Sequence, residues 1–157
     1  YPGGPLVDHH ARLGDPGSYL LPKPAIPGLD LSFSGIKTAF VALVNREELR
    51  QPGFKERQRN NLCAALQAAI IDHLLAKARR AIRQQGVAHI GIAGGVAANS
   101  GLRQRLLELG QREGVQVFIP PMAYCTDNAA MIAMAGHHLL EARRFASLDV
   151  VPVPRIH

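Results

Sequence analysis

The stretch that decides the fold runs Ala88-His-Ile-Gly-Ile-Ala-Gly-Gly-Val-Ala-Ala-Asn-Ser100 and continues to Val115-Gln-Val-Phe-Ile-Pro-Pro121. Ala88–Ala93 is a short apolar run and reads as a buried strand, broken by Gly94-Gly95. Either Asn99 or Ser100 is placed to cap a helix over 100–113, which Gly114 ends. Val115–Ile119 is a second strand, stopped by Pro120-Pro121, and Thr126-Asp127-Asn128 opens a helix over about 128–144. Strands alternating with helices predict a parallel pair joined by a right-handed crossover. In such sheets ligands collect beyond the carboxyl ends of the strands, here the Gly94-Gly95 and Pro120–Asp127 loops.

Upstream lies the strongest periodic signal. Leu62, Leu66, Ala69, Ile70, His73, Leu74, Ala78, Ala81 and Ile82 recur at helical spacing and predict one long helix over about 56–85, with Gly86 as its left-handed cap. Before it, Pro52-Gly53 marks a turn and 36–48 reads as a helix opened by Gly35. Ser32-Phe33-Ser34 alternates polar and apolar and predicts a short strand. Residues 1–30 hold so many Pro and Gly that at most one short helix fits, near 5–13. The organisation expected is therefore a Pro/Gly-rich and helical subregion over 1–54, followed over 55–157 by the long helix and a βαβα unit.

With 157 residues and 47% hydrophobic composition, the chain is long and apolar enough for one domain with its own core, which excludes a disordered polypeptide. No run of about 18 apolar residues is present to span a bilayer, and nothing resembles a signal peptide. Cys63 and Cys125 follow no metal or disulfide spacing and read as reduced thiols, Cys63 as a small core residue. A net charge of +6 favours anionic partners, and aromatic content of only 5% argues against a base-stacking platform. Arg79, Arg80 and Arg83 lie opposite the apolar stripe of the long helix. They read either as a solvated face or as an RNA-backbone patch.

Several segments carry potential chemistry, each beside a plainer reading. After a strand, Gly94-Gly95 lets a ligand approach bare backbone, and Asn99 can serve a ribose or an amide; otherwise Asn99 simply caps the helix. Asp127 stands where a carboxylate can ligate a metal or orient a Mg–phosphate group; otherwise Thr126-Asp127-Asn128 is a cap. Gly3-Gly4 offers bare backbone to a nucleoside or acyl group, with Asp8 one helical turn beyond as an acceptor; otherwise it is a Pro/Gly turn with a surface Asp. His9-His10 and His137-His138 are adjacent pairs whose side chains diverge, and no His-x-x-x-His or Cys-x-x-Cys occurs, so the histidines read as surface or satisfied core residues.

Together these segments resemble a known family. Tyr1-Pro-Gly-Gly-Pro5, Leu31-Ser-Phe-Ser-Gly-Ile-Lys37-Thr-Ala39, Gly94-Gly-Val-Ala-Ala-Asn-Ser100 and Cys125-Thr-Asp-Asn-Ala-Ala-Met-Ile-Ala133 occur in the order and at the separations of the TsaD family, formerly called the glycoprotease or O-sialoglycoprotein endopeptidase family. Thr126 matches its bacterial form. The resemblance implies an α/β fold that is the second lobe of an actin/Hsp70-like (ASKHA) architecture, helix-rich with a short parallel sheet. It implies transfer of a threonylcarbamoyl group from threonylcarbamoyl-AMP to N6 of the adenosine beside the anticodon, in tRNAs reading codons that start with A. By the same likeness Asp127 ligates a catalytic iron or zinc ion that polarises the carbamoyl carbonyl, and Gly4, Asp8 and Asn99 contact the adenylate. Partners implied are tRNA, the bacterial TsaB and TsaE proteins with ATP or ADP in the assembly, and the chain's own N-terminal lobe, in the cytoplasm and without membrane.

The N-terminal lobe, with its metal-binding His pair, is not in this sequence, which opens on Tyr1 without an initiator Met. The fragment alone is therefore expected to be inactive, to bind metal weakly and to self-associate through the face its first lobe would cover. Two rival readings remain: a metalloprotease, for which this chain supplies no His-Glu-x-x-His, and a noncatalytic nucleotide-binding module of the same superfold.

Overall fold

The computed structural model describes residues 3–151; Tyr1 and Pro2 of the first motif lie outside them. Helix α4, Arg59–Gln85, is the axis of the molecule. Its 27 residues make a rod of about 40 Å at 1.5 Å per residue. Leu62, His73 and Ile82 of the predicted stripe are buried, together with Ala64, Ala65 and Ile71 beside it, while Leu66, Ala69, Ile70, Leu74, Ala78 and Ala81 are half-buried. At its end Gly86 takes φ 61°, a left-handed conformation, and its N–H returns to the Ile82 carbonyl. Helix α1, Gly3–Ala11, lies along α4, as does part of α2, Ser34–Arg50.

Two expectations fail in this half. Ser32-Phe33-Ser34 is not a strand: no partner strand is near, Ser34 already begins α2, and Phe33 packs edge-on to the His73 ring at 5.5 Å. The long helix also does not start at 56. A separate turn, α3 at Phe54–Arg57, precedes it, and Gln58 at φ −105° breaks the two apart. The start of α3 is capped from the end of α2. The Glu48 carboxylate accepts from the N–H groups of Gly53 and Lys55, both at 2.9 Å, while Phe54 turns inward beneath Tyr19. Those two backbone donors hold the Glu48 carboxyl below its ordinary pKa.

Residues 12–33 form a strap across α4. Lys77 Nζ donates to the carbonyls of Ile26 and Gly28 at 2.6 and 2.8 Å, and His10 Nδ1 donates to Asn60 Oδ1 at 2.9 Å.

Beyond α4 the predicted βαβα order holds. Strands β1, His89–Gly91, and β2, Gln116–Phe118, pair in parallel with Ile90 opposite Val117. They are joined across helix α5, Ser100–Glu113, which ends on Gly114 at φ 69°. Ile82, Leu106 and Leu109 form the core beneath the sheet, with Ile90, Ile92, Val115 and Val117 packed on it. Gly110 lets α5 approach β2; a Cβ there would overlap the Val117 side chain. Contrary to the expectation of a buried strand, β1 is half-buried, because α4 and α5 cover one face only. His89, Gly91, Gln116 and Phe118 stand on the open face. Helix α6, Ala129–Glu141, ends short of the predicted 144. It buries none of its residues, although Met131, Ile132, Met134, Leu139 and Leu140 lie on it. The result is α/β, helix-rich with a short parallel sheet.

Among the described residues no helix is long and apolar enough to cross a membrane.

Candidate functional site

The two loops that follow the parallel strands lie at the same edge of the sheet, as the crossover topology requires. After β1, Gly94 adopts φ 78° and ψ 177°, a region open essentially to glycine, and a 3-10 turn follows at Gly95–Ala98. A Cβ at Gly94 or Gly95 would meet nothing within 4 Å, so the backbone here is bare. Asn99, not Ser100, caps α5. Its Oδ1 accepts from the Leu102 N–H at 2.8 Å and its Nδ2 donates to Gln67 Oε1 at 2.7 Å. The capping role is therefore real, and it consumes one acceptor site and one donor of the amide. An amide keeps one N–H and lone-pair capacity beyond these.

Ser100 has a different task. Its hydroxyl donates to Asp8 Oδ1 at 2.8 Å, joining α1 to the start of α5. Asp8 is not a surface residue: it is 8% exposed, with Arg12 Nη2 at 3.6 Å from its other oxygen. Gly4 sits one turn earlier on α1, exposed, with open space where a Cβ would be. Asp8 and Asn99 are thus brought to one place through Ser100.

After β2, Pro120-Pro121 leads into a 3-10 turn at Met122–Tyr124. Cys125 is fully buried, and its thiol donates towards the Pro121 carbonyl at 3.5 Å. The helix that follows is capped by Asn128, whose Oδ1 accepts from the Met131 N–H at 3.2 Å. Capping thus accounts for Asn128 and not for Asp127. Among the described residues the exposed Asp127 carboxylate has no hydrogen bond or ion pair, so the fold makes no use of it.

As a metal ligand Asp127 does not suffice. Among the described residues no group of three or more His, Cys, Asp or Glu side chains could hold an ion. One hard oxygen donor falls short of the three or four ligands an iron or zinc site needs, so the residues present do not make the site by themselves.

Several basic residues of α4 and α5 are engaged within the fold. Arg79 Nε and Arg83 Nε each donate to the Glu113 carboxylate at 2.6 Å, and Arg105 pairs with Asp72 at 2.6 Å. The Arg83 bond first, then that of Arg79, holds the Glu113 carboxyl below its ordinary range. Arg79 and Arg83 clamp α5 onto α4, a use their spacing did not reveal, and Arg80 reaches towards the Gly28 carbonyl at 3.4 Å. Burial raises the pKa of the half-buried Cys63 thiol, and Cys125, not Cys63, is the enclosed one. Of the histidines among the described residues, only His73 is buried; its Nε2 lies 3.5 Å from the Ser32 nitrogen. A cleft of about 570 Å³ opens between the strap at 16–26 and α4, but none of Gly4, Asp8, Asn99 or Asp127 lines it.

A further basic residue belongs at this edge. Arg103 on α5 donates from Nε to the Ala97 carbonyl at 2.6 Å, and from Nη2 to the Pro120 carbonyl at 2.6 Å and to Cys125 Sγ at 3.1 Å.

The sequence has relatives among known proteins. The family model for "TsaD: tRNA N6-adenosine threonylcarbamoyltransferase" matches residues 1–134. A protein of that name from Christiangramia forsetii is 44% identical over 155 residues, covering 99% of this chain and 46% of its own length. One from Cytophaga hutchinsonii is 44% identical over 156 residues, again 99% and 46%. One from Chromobacterium violaceum is 46% identical over 138 residues, covering 87% of this chain and 40% of its own. The chain spans about half the length of the curated relatives it matches. A match over most of the chain, together with these identities, shows that it belongs to the TsaD family.

Proposed function

We propose that this chain works as the second lobe of an actin/Hsp70-like transferase. The whole protein would transfer the threonylcarbamoyl group of threonylcarbamoyl-AMP to N6 of the adenosine beside the anticodon, in tRNAs reading codons that start with A. Family membership supports the reaction class, and the printed name of the relatives supplies the acceptor. Within the chain, the observation that carries the reading is Asp127: an exposed carboxylate without a partner among the described residues, while its neighbour Asn128 does the capping.

In this reading Asp127 is one ligand of an iron or zinc set that the other half of the protein completes. Gly4 and the Gly94-Gly95 turn offer bare backbone to the adenylate. Asn99 contributes its remaining N–H, and Asp8 fixes the helix that Asn99 caps and contacts the adenylate with the oxygen that lies 3.6 Å from Arg12 Nη2. The chain's own residues thus bind and orient; no chemical step is assigned to them alone. The uncovered face of β1 and β2 and the apolar residues of α6 are the surface that the N-terminal lobe covers, and self-association is the expected behaviour when that lobe is missing. TsaB and TsaE, with ATP or ADP, are the proposed protein partners, and the cytoplasm the proposed location.

Mass spectrometry of nucleosides decides the matter. Unmodified tRNA, incubated with the full-length protein, threonylcarbamoyl-AMP and the partner proteins, should gain threonylcarbamoyladenosine, and Asp127→Ala should abolish the gain. Peptide hydrolysis lost with the same substitution, and no modified nucleoside, would replace this reading with the protease one.

A further inference from the structure

We propose that Arg103 is a positioning residue that locks the Asp127-bearing loop to the Gly94–Asn99 turn. This rests on the transferase reading for its kinetic arm and on geometry alone for its structural arm. Pro120 and Pro121 lack backbone N–H groups, and the donors the loop does have close only within it, Tyr124 N–H on the Pro121 carbonyl and Cys125 N–H on that of Met122. The Pro120 carbonyl still needs a partner, and Arg103 Nη2 supplies it at 2.6 Å. The same nitrogen reaches Cys125 Sγ at 3.1 Å, at the far end of that loop and two residues before Asp127. Meanwhile Nε holds the Ala97 carbonyl at 2.6 Å, two residues before Asn99.

Among the described residues no other side chain hydrogen-bonds to both loops. The guanidinium is planar, with donors fixed in a fork, so its contacts set the separation of the two loops as well as joining them. A lysine ammonium keeps the charge and can reach one carbonyl, but it has no rigid fork with which to hold the second at a set distance. Arg103 lies in the first turns of α5, the helix that Asn99 caps and Ser100 ties to Asp8. The latch therefore places Asp127 relative to the residues proposed to meet the adenylate. It touches no reacting atom itself.

The test uses the full-length protein with Arg103→Lys and Arg103→Ala. Hydrogen exchange should accelerate at amides 122–128 in both variants and stay unchanged in the middle of α4. In the tRNA assay kcat should fall about 100-fold, the scale expected of a misplaced reacting group, with KM for tRNA nearly constant. Added methylguanidinium should restore part of the Arg103→Ala rate, and methylammonium should not. Should Arg103→Ala fail to fold, Arg103→Lys and the milder Cys125→Ala carry the test; the latter removes one acceptor and should loosen 122–128 alone. Wild-type exchange at 122–128 in Arg103→Lys, or a wild-type kcat in that variant, overturns the proposal. If the unsubstituted protein leaves tRNA unmodified, the transferase reading fails, while the exchange data still judge the latch.

Discussion

Removing the Asp8–Ser100 tie tests whether Asp8 is a structural residue before it is anything else. The bond is 2.8 Å long, its acceptor is a carboxylate, and Asp8 is 8% exposed. A hydrogen bond to a charged group contributes about 1.5–3 kcal/mol, and this one is neither deep enough nor exposed enough to leave that range. Asp8→Ala also improves helix propensity in α1 by roughly 0.5 kcal/mol and loses the Arg12 contact, worth little because Arg12 is largely exposed. A double-mutant cycle with Ser100→Ala cancels both side effects, so the coupling should be about 2 kcal/mol. With a urea m-value of about 2 kcal/mol/M, that moves the midpoint by about 1 M. The chain has no Trp, so far-ultraviolet circular dichroism is the suitable probe. Asp8→Asn keeps an oxygen for Ser100 and should cost less than about 1 kcal/mol. Any much larger loss of adenylate binding in Asp8→Asn then belongs to the ligand. A coupling below about 0.5 kcal/mol would refute the tie and leave the whole carboxylate available for another role.

Gly110→Ala should destabilise by about 1–3 kcal/mol, because its Cβ would overlap the Val117 side chain and crowd the Val115 carbonyl; urea midpoints check this. Glu113 has a folded pKa below its ordinary 4.5, so it contributes stability above that value and loses the contribution as pH falls through the folded one. Glu113→Gln should therefore lower the midpoint at neutral pH, and the difference from the unsubstituted chain should close in acid; a constant difference would show that the Arg79–Glu113–Arg83 clamp is not its source. Calorimetry should find only weak binding of iron or zinc to the 157-residue chain and no transferase activity in it. Tight one-to-one binding lost with Asp127→Ala would mean that the chain completes the metal site unaided.

What the sequence displayed is what local chemistry determines. The stripe on α4 and the left-handed glycines at 86 and 114 are recognisable because periodicity and backbone conformation are written residue by residue. The same logic located both strand-end loops, with Asn99 and Asp127 on them. Distant partners were hidden. Ser32-Phe33-Ser34 alternates like a strand, yet three residues without a pairing edge cannot be one. The separate turn α3 is capped by Glu48 at the end of α2, whose carboxylate accepts from Gly53 and Lys55. Arg103 looked like one cation among several, since nothing in its spacing reports that Ala97, Pro120 and Cys125 converge on it.

This difference bears on how the candidate site is read. Capping boxes and binding loops draw on the same residue types, so Asn99 and Thr126-Asp127-Asn128 look equally ambiguous in sequence. Counting polar atoms separates them. Asn99 gives one donor and one acceptor position to Leu102 and Gln67, so any ligand must use what remains. Asn128 takes the cap of α6, and among the described residues nothing pairs with the two oxygens of Asp127. An exposed carboxylate alone is ordinary, and on most surfaces it would mean nothing. Here it follows a buried cysteine and a loop fastened by an arginine to the turn carrying Asn99, so its position is held although its side chain is not used. A side chain the fold does not need, on a backbone the fold fixes in place, is what a ligand supplied partly from elsewhere requires.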